Sequence, residues 1–328
     1  MITYPTRLVL LVQLVERLPL PLSPPQRGRG HPRQYSDQLF LKALVIMLVR
    51  RVTTVHGLLQ MLAEDTAEMH TLRALLTEKG RFPCRRTWER RLHAIPTTLP
   101  EYIACFGTLL VRLIQPWRQS GRAVALDSTA LRARGGVWHK KHREAGIVPH
   151  TSIDTEAQWS KSGWHGWWYG WKLHVAGVVA TCWIPLAARL TEANVSDGEE
   201  ALHLAASLPA EVRYVLGDHH YQTEELQAYC LQTGRILICS RGNRKKRIDD
   251  PGREVRRVFH KLRSLAIENW NEQFKSVFEG HGQVPTKGKT NTQRFVLGAV
   301  FLYQLIVWYR FEHGLNVRQG IKAFLKAA

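Results

Sequence analysis

In Arg122-Ala123-Val124-Ala125-Leu126-Asp127-Ser128-Thr129-Ala130, an apolar run from Val124 to Leu126 gives way abruptly to a carboxylate at Asp127. A sheet covered by helices needs brief apolar runs of this kind. The pattern predicts a short buried strand that delivers Asp127 at its C-terminal end, where the group stays ionised on a wet sheet edge. Val212-Arg213-Tyr214-Val215-Leu216-Gly217-Asp218 repeats the arrangement, again a strand ending in Asp. A third acid, Glu268, lies after the basic residues 253–263, near the start of a long helical pattern. Two strand-end acids and one helix acid converging at the edge of a mixed sheet would hold divalent metal, because Mg2+ and Mn2+ are hard ions that prefer carboxylates and water. Two such ions about 3.5–4 Å apart suit in-line displacement at a phosphodiester. Composition does not choose between Glu268 and Glu272, one helical turn apart on a shared face.

Bulk properties narrow the partners. Among 328 residues, 46 Lys and Arg stand against 27 acids, a formal charge of +19 that exceeds what solubility requires and argues for a polyanion, nucleic acid first. The hydrophobic share of 45% supports a sizeable core. The 5 cysteines are scattered and without a CxxC pair, which excludes a disulfide framework and fits a reducing cytoplasm. Histidine spacings match no zinc pattern, and neither a GxGxxG nor a phosphate-loop motif is present. Residues 5–20 are apolar, but Arg7, Glu16, Arg17 and a series of prolines interrupt them, so they read as a flexible N-terminal arm or short helix and not as a signal peptide. Phe295–Tyr309 is too short for a comfortable membrane span and reads as a buried helix; no membrane association is expected.

Helical periodicity begins near Ser36 and returns over Val55–Leu62, 67–76, a basic segment at 83–92 and 102–114. In the basic segment Arg85, Arg86, Arg90 and Arg91 resemble a DNA-reading unit or form a solvated helix face, Thr87 is the candidate cap, and Trp88 with Leu92 anchors one face. No helix-turn-helix signature accompanies it. Linker composition at 116–121 divides the chain into an all-helical region, 1–118, and a second domain, 119–328. Residues 132–163 read as a long loop over the site, and Tyr169–Val179 with Cys182–Leu190 as an antiparallel hairpin. Lys172 and His174 alternate on that hairpin and point to one side, toward substrate or solvent. Tryptophans 159, 164, 167, 168 and 171 serve either to stack on unpaired bases or to pack the core. A helix to about Ala206, the Asp218 strand, a helix over 223–232 and a strand at Ile236–Cys239 follow. Next come a cationic loop with Arg241, Arg244, Lys245 and Lys246, and then the Glu268 helix, about 260–279. Lys275 shares the face of Glu268, and Arg263 lies near the helix start. The order of elements predicts a mixed α/β sheet with flanking helices, preceded by an all-helical region.

Taken together the motifs resemble the DDE transposases of bacterial insertion sequences, the group whose third acid lies in a Tyr-Arg-Glu-Lys signature. Val124-Ala125-Leu126-Asp127-Ser128-Thr129 resembles the first catalytic segment, Tyr169-Gly170-Trp171-Lys172-Leu173-His174 the Gly-x-Lys-x-His strand, and Leu190-Thr191-Glu192-Ala193-Asn194-Val195-Ser196-Asp197 the Thr-x-x-Asn-x-x-Asp run. Val215-Leu216-Gly217-Asp218-His219-His220-Tyr221 resembles the second catalytic segment. Arg263, Ile267-Glu268, Phe274 and Lys275 resemble the signature helix, with the Glu-to-Lys spacing kept, His260 or Phe259 in place of Tyr and a longer Arg-to-Glu interval. The resemblance implies a ribonuclease-H-like catalytic fold, Asp127, Asp218 and Glu268 as catalytic and metal-holding acids, and Mg2+, with Mn2+ substituting. The charge pattern and the resemblance together make Lys172, His174, Arg241, Arg244, Lys245, Lys246, Arg263, Lys275, Arg85, Arg86, Arg90 and Arg91 the expected DNA-contacting residues. Its expected partners are double-stranded DNA, both transposon ends and target, bound by a homodimer that cleaves ends and joins 3′ hydroxyls. A ribonuclease-H-like nuclease or resolvase would share the acids without joining ends, and a non-catalytic transposase-derived DNA-binding protein would keep only the basic surfaces.

Overall fold

Hydroxyl side chains set the starts of the first helices. Thr6 Oγ1 accepts from the Val9 N–H (3.3 Å), Ser36 Oγ from Leu39 (3.2 Å), Thr54 Oγ1 from Gly57 (3.1 Å) and Thr66 Oγ1 from Met69 (3.2 Å), each satisfying an orphan donor at a helix N-terminus. These open α1 (Arg7–Glu16), α2 (Asp37–Val49), α3 (Val55–Leu62) and α4 (Ala67–Leu75). The computed structural model describes residues 5–19, 34–114, 122–163, 166–179, 182–240, 252–275, 277 and 282–326. Leu8, Leu11, Val12 and Val15 of α1 are buried in the core, so residues 7–16 form the short helix and not a loose arm. Residues 20–33 and the expected boundary at 118/119 lie outside the described residues. α5 (Arg85–Ala94) starts earlier than Thr87 suggested: Cys84 holds the N-cap position with no side-chain cap bond, and Thr87 lies one turn inside. A 3-10 turn at Ile95–Thr97 leads into α6 (Leu99–Ile114).

The sheet contains β1 (Ala123–Arg132), β2 (Gln158–Ser162), β3 (Gly166–Val179), β4 (Trp183–Glu192), β5 (Tyr214–Gly217) and β6 (Ile236–Cys239). Its order is β2-β3-β1-β5-β6, with β4 also on β3. β1 runs antiparallel to β3 and parallel to β5, which in turn is parallel to β6, so the sheet is mixed as expected. β1 extends beyond Asp127 to Arg132, which places the carboxylate inside the strand and not at its end: the ladder with β3 continues where the apolar run stops. Residues 132–163 are less irregular than expected, containing α7 (Lys140–Glu144) and β2. Their far end is pinned because Asp154 and Glu156 carboxylates accept from the Gly288 (3.0 Å) and Lys289 (2.9 Å) N–H groups at the start of α11 (Lys289–Glu312).

Crossovers after β4 and β5 supply α8 (Asp197–Ala206) and α9 (Glu224–Gln232), and after β6 the chain forms α10 (Arg253–Lys275); α12 (Ile321–Lys326) follows α11. Among the described residues α11 alone is long and apolar enough to cross a membrane, and it is buried within the protein. Gln304 at its middle is fully buried, and its Nε2 donates to the Ile103 (2.8 Å) and Pro185 (2.9 Å) carbonyls, tying α6 and β4 to one helix. α6 approaches β4 so closely that a Cβ on Gly107 would lie 2.1 Å from the Pro185 carbonyl oxygen. Gly107→Ala should therefore cost about 1–3 kcal/mol by overpacking, read as a lower urea midpoint with an unchanged slope; a midpoint equal to wild type would contradict this contact.

Candidate active site

Strand register brings the first two acids together. In the parallel pair β1–β5, Ala125 is opposite Leu216, and the pairing ends there. Asp127 and Asp218 each lie two residues further along, at equivalent positions beyond the ladder, and carboxyl ends of parallel strands are where open α/β sheets expose their sites. Gly217 leaves room for Tyr221, whose Cβ would be 2.6 Å from any Cβ added there. Asp218 caps the 3-10 turn His219–Tyr221, with Oδ1 accepting from the His220 N–H at 2.8 Å.

α10 supplies the partners of Asp127. Arg263 Nη2 donates to Asp127 Oδ1 at 2.8 Å and lies 4.0 Å from Asp218 Oδ2, while Asn271 Nδ2 donates to Asp127 Oδ2 at 2.9 Å. Burial pushes the Asp127 carboxyl up to about 6, against the opposing pull of Arg263 and Asn271 and with a smaller push from Asp218. Both acids line a cavity of about 800 Å3, together with Lys172, Asp197, His220, Asn271 and Lys275. Lys275 is pulled below its ordinary value by burial, with Asp127 acting in the other direction. Two hard-oxygen carboxylates that already share one cationic group fit a divalent cation, and Asp127 with Asp218 would be its ligands.

Glu268 is exposed and does not line this cavity. Arg263, Ile267, Trp270, Asn271 and Phe274 form the face of α10 turned to the sheet, with Ile267, Trp270 and Phe274 buried. Glu268 lies about 60° around the helix from Asn271. Among the described residues no cluster of three metal-ligating side chains is assembled. Glu272 is exposed as well.

Strand alternation puts Lys172 and His174 on the face covered by α8, opposite to Asp127. Lys172 Nζ is 3.1 Å from Asp197 Oδ1 and donates to the Val195 carbonyl at 2.8 Å, which holds the ammonium at the cavity wall. His174, expected on DNA, is fully buried instead: Nε2 lies 2.9 Å from Thr191 Oγ1 and Nδ1 3.6 Å from Asp197. The cover provided by α8 removes it from any surface, and burial lowers it to about 4.

The remaining expected DNA residues separate by position. Arg85, Arg86 and Arg90 are exposed on α5, whereas Arg91 is turned inward onto Asp37 and the Phe40 ring. Arg241, Arg244, Lys245 and Lys246 lie outside the described residues. Of the tryptophans, Trp168 and Trp171 are buried, Trp159 is half-buried against Tyr169, and Trp167 is exposed with Lys161 over its ring; Trp164 lies outside the described residues. Asn271 and Asp197 also belong to the site. Asn271 could have been found from its position two turns along from Arg263, and Asp197 from its place in the acidic start of α8.

The family model described as transposase DDE domain matches residues 118–305. No curated protein matches the chain. Among solved structures, the piggyBac transposase synaptic complex with hairpin DNA is similar with a TM-score of 0.42 at 12% identity, over 96% of this chain and 74% of that one. The Mos1 transposase paired-end complex with left transposon end gives 0.23 at 12% identity, over 79% and 82%.

Because His174 titrates near 6.5 when unfolded and near 4 when folded, its neutral form contributes stability above pH 6.5 that is lost as pH falls toward 4. Urea unfolding across this window should be steeper in pH for wild type than for His174→Gln; parallel profiles would disprove the assignment.

Proposed function

Because the chain belongs to the family of transposase DDE domains, we propose that it cuts and rejoins DNA through Asp127, Asp218 and Glu268. The observation that carries this reading is the register that sets Asp127 beside Asp218 at a cavity also lined by Lys161, Lys172 and Lys275. Mg2+, with Mn2+ substituting, is the proposed cofactor; Asp127 and Asp218 would hold it, with Glu268 as the proposed third ligand, and it would supply positive charge to the scissile phosphate. Lys172 and Lys275 neutralise non-bridging phosphate oxygens, and Asp197 with the Val195 carbonyl keeps Lys172 aimed at them. Hydrolysis at the transposon end breaks a phosphodiester and leaves a 3′ hydroxyl. That hydroxyl then attacks a target phosphodiester, one P–O bond forming as another breaks, so no energy source is consumed.

Residues 1–118 are the proposed reader of terminal inverted repeats, with Arg85, Arg86 and Arg90 on the backbone of the duplex. Arg241, Arg244, Lys245 and Lys246, in a cationic stretch of the sequence, are further proposed DNA contacts. A homodimer on DNA would hold two ends in one complex. A net charge of +19 predicts that affinity falls steeply with salt, as counterions displaced from phosphates are restored. The exposure of Glu268 favours one second reading, a DNA-binding protein whose acids are inert.

Cleavage and joining on duplexes carrying the element's own ends, with Mg2+ or Mn2+, separates these readings. Asp127→Asn and Asp218→Asn should each lower cleavage by about a hundredfold or more while end binding persists. Glu268→Gln should do the same. Cleavage retained in Glu268→Gln and lost in Asn271→Ala would remove Glu268 from the proposal. End binding without cleavage by wild type would leave the binding reading alone.

A further inference from the structure

Arg263 is not held as a structural ion pair usually is. Arg–carboxylate pairs are frequently bidentate, with two parallel N–H groups on one carboxylate. Here a single nitrogen, Nη2, faces both Asp127 (2.8 Å) and Asp218 (4.0 Å), and Asn271 takes the second oxygen of Asp127. The Arg263 Nε is buried without a hydrogen-bond partner. The guanidinium thus lies between two acids and leaves hydrogen-bonding capacity unspent. It cannot yield by losing a proton, because a guanidinium stays charged in proteins.

We infer that Arg263 is a built-in counter-cation that competes with a divalent ion for Asp127 and Asp218 and so sets the affinity of the site for metal. The inference rests on reading these acids as metal ligands. A divalent ion beside the same carboxylates meets a like charge at close range, a repulsion that weakens its binding until the guanidinium moves aside. Asn271, being neutral, need not move: it continues to fix the orientation of Asp127. Arg263 is in this sense a positioning residue, acting on the ion through the carboxylates they share.

Mn2+ titration of the full chain without DNA, followed by electron paramagnetic resonance of the free ion, tests this directly. Arg263→Gln should bind Mn2+ about tenfold more tightly than wild type. Arg263→Lys, which keeps the charge, should stay within about threefold of wild type. Equal or weaker binding by Arg263→Gln would overturn the inference, as would tightening by Arg263→Lys to the same extent. Arg263→Met makes the same charge change should Arg263→Gln not fold, as judged by thermal melting. Asp127→Asn separates the two levels: if it abolishes binding while Arg263→Gln equals wild type, only the competition fails. If it leaves Mn2+ binding intact, the reading of the acids as ligands fails, and the competition with it.

Discussion

β1 is paired over unequal lengths on its two edges, and the site follows from that inequality. Its antiparallel ladder with β3 runs from Val124 to Arg132, whereas its parallel ladder with β5 stops at Ala125. Between Ala125 and the Arg132–Gln283 bridge one edge carries no strand partner while the other still fixes the backbone, so Asp127 is held by β3 yet reaches the cavity. The same register puts Asp218 next to it, and neighbouring strands lie about 4.8 Å apart. Neighbouring carboxylates repel each other, and α10 places the Arg263 guanidinium 2.8 Å from Asp127 and 4.0 Å from Asp218, which offsets that repulsion.

α10 is held in place by aromatic packing. Trp270 lies 4.3 Å from the Trp183 ring of β4 and 4.9 Å from Phe274, with Tyr303 of α11 beyond it. Tyr303 also donates to the Trp183 carbonyl at 3.0 Å, and α11 is itself tied to α6 and β4 through Gln304. A continuous apolar path therefore runs from the N-terminal helices through α11 to the helix that serves Asp127. Core packing far from the carboxylates fixes which residues of α10 reach them.

Local signals were read well because local chemistry sets them. The start of α2 near Ser36, the helix Val55–Leu62 and the strand Ile236–Cys239 match the chain's own periodicity. The common side of Lys172 and His174 also follows from alternation, and both meet Asp197. What alternation leaves open is the cover: α8 buries His174 and leaves Lys172 at the cavity wall, a distinction made by an element some residues downstream. The end of β1 was misjudged for a similar reason. Hydrophobicity falls at Asp127, but the strand is prolonged by its partner β3, a contact no window around residue 127 contains. α7 and β2 carry no periodicity strong enough to announce them, and the role of Asn271 follows only from a hydrogen bond to Asp127, 144 residues away along the chain.

Charge arithmetic explains the face that α10 presents. Asp127, Asp218 and Arg263 together leave one net negative charge, and a third carboxylate at the same place would double it in a partly buried setting. An amide at Asn271 adds a donor without adding charge, so it satisfies Asp127 where Glu268 would repel it. Arg263 and Asn271 turned inward with Glu268 outward is the arrangement that electrostatics favours for two acids and one guanidinium. Bringing Glu268 to the pair requires additional positive charge, and the family to which the chain belongs relates that need to a divalent ion. The identity of the third acid and the behaviour of Arg263 are therefore one electrostatic question, asked from the two flanks of a single helix.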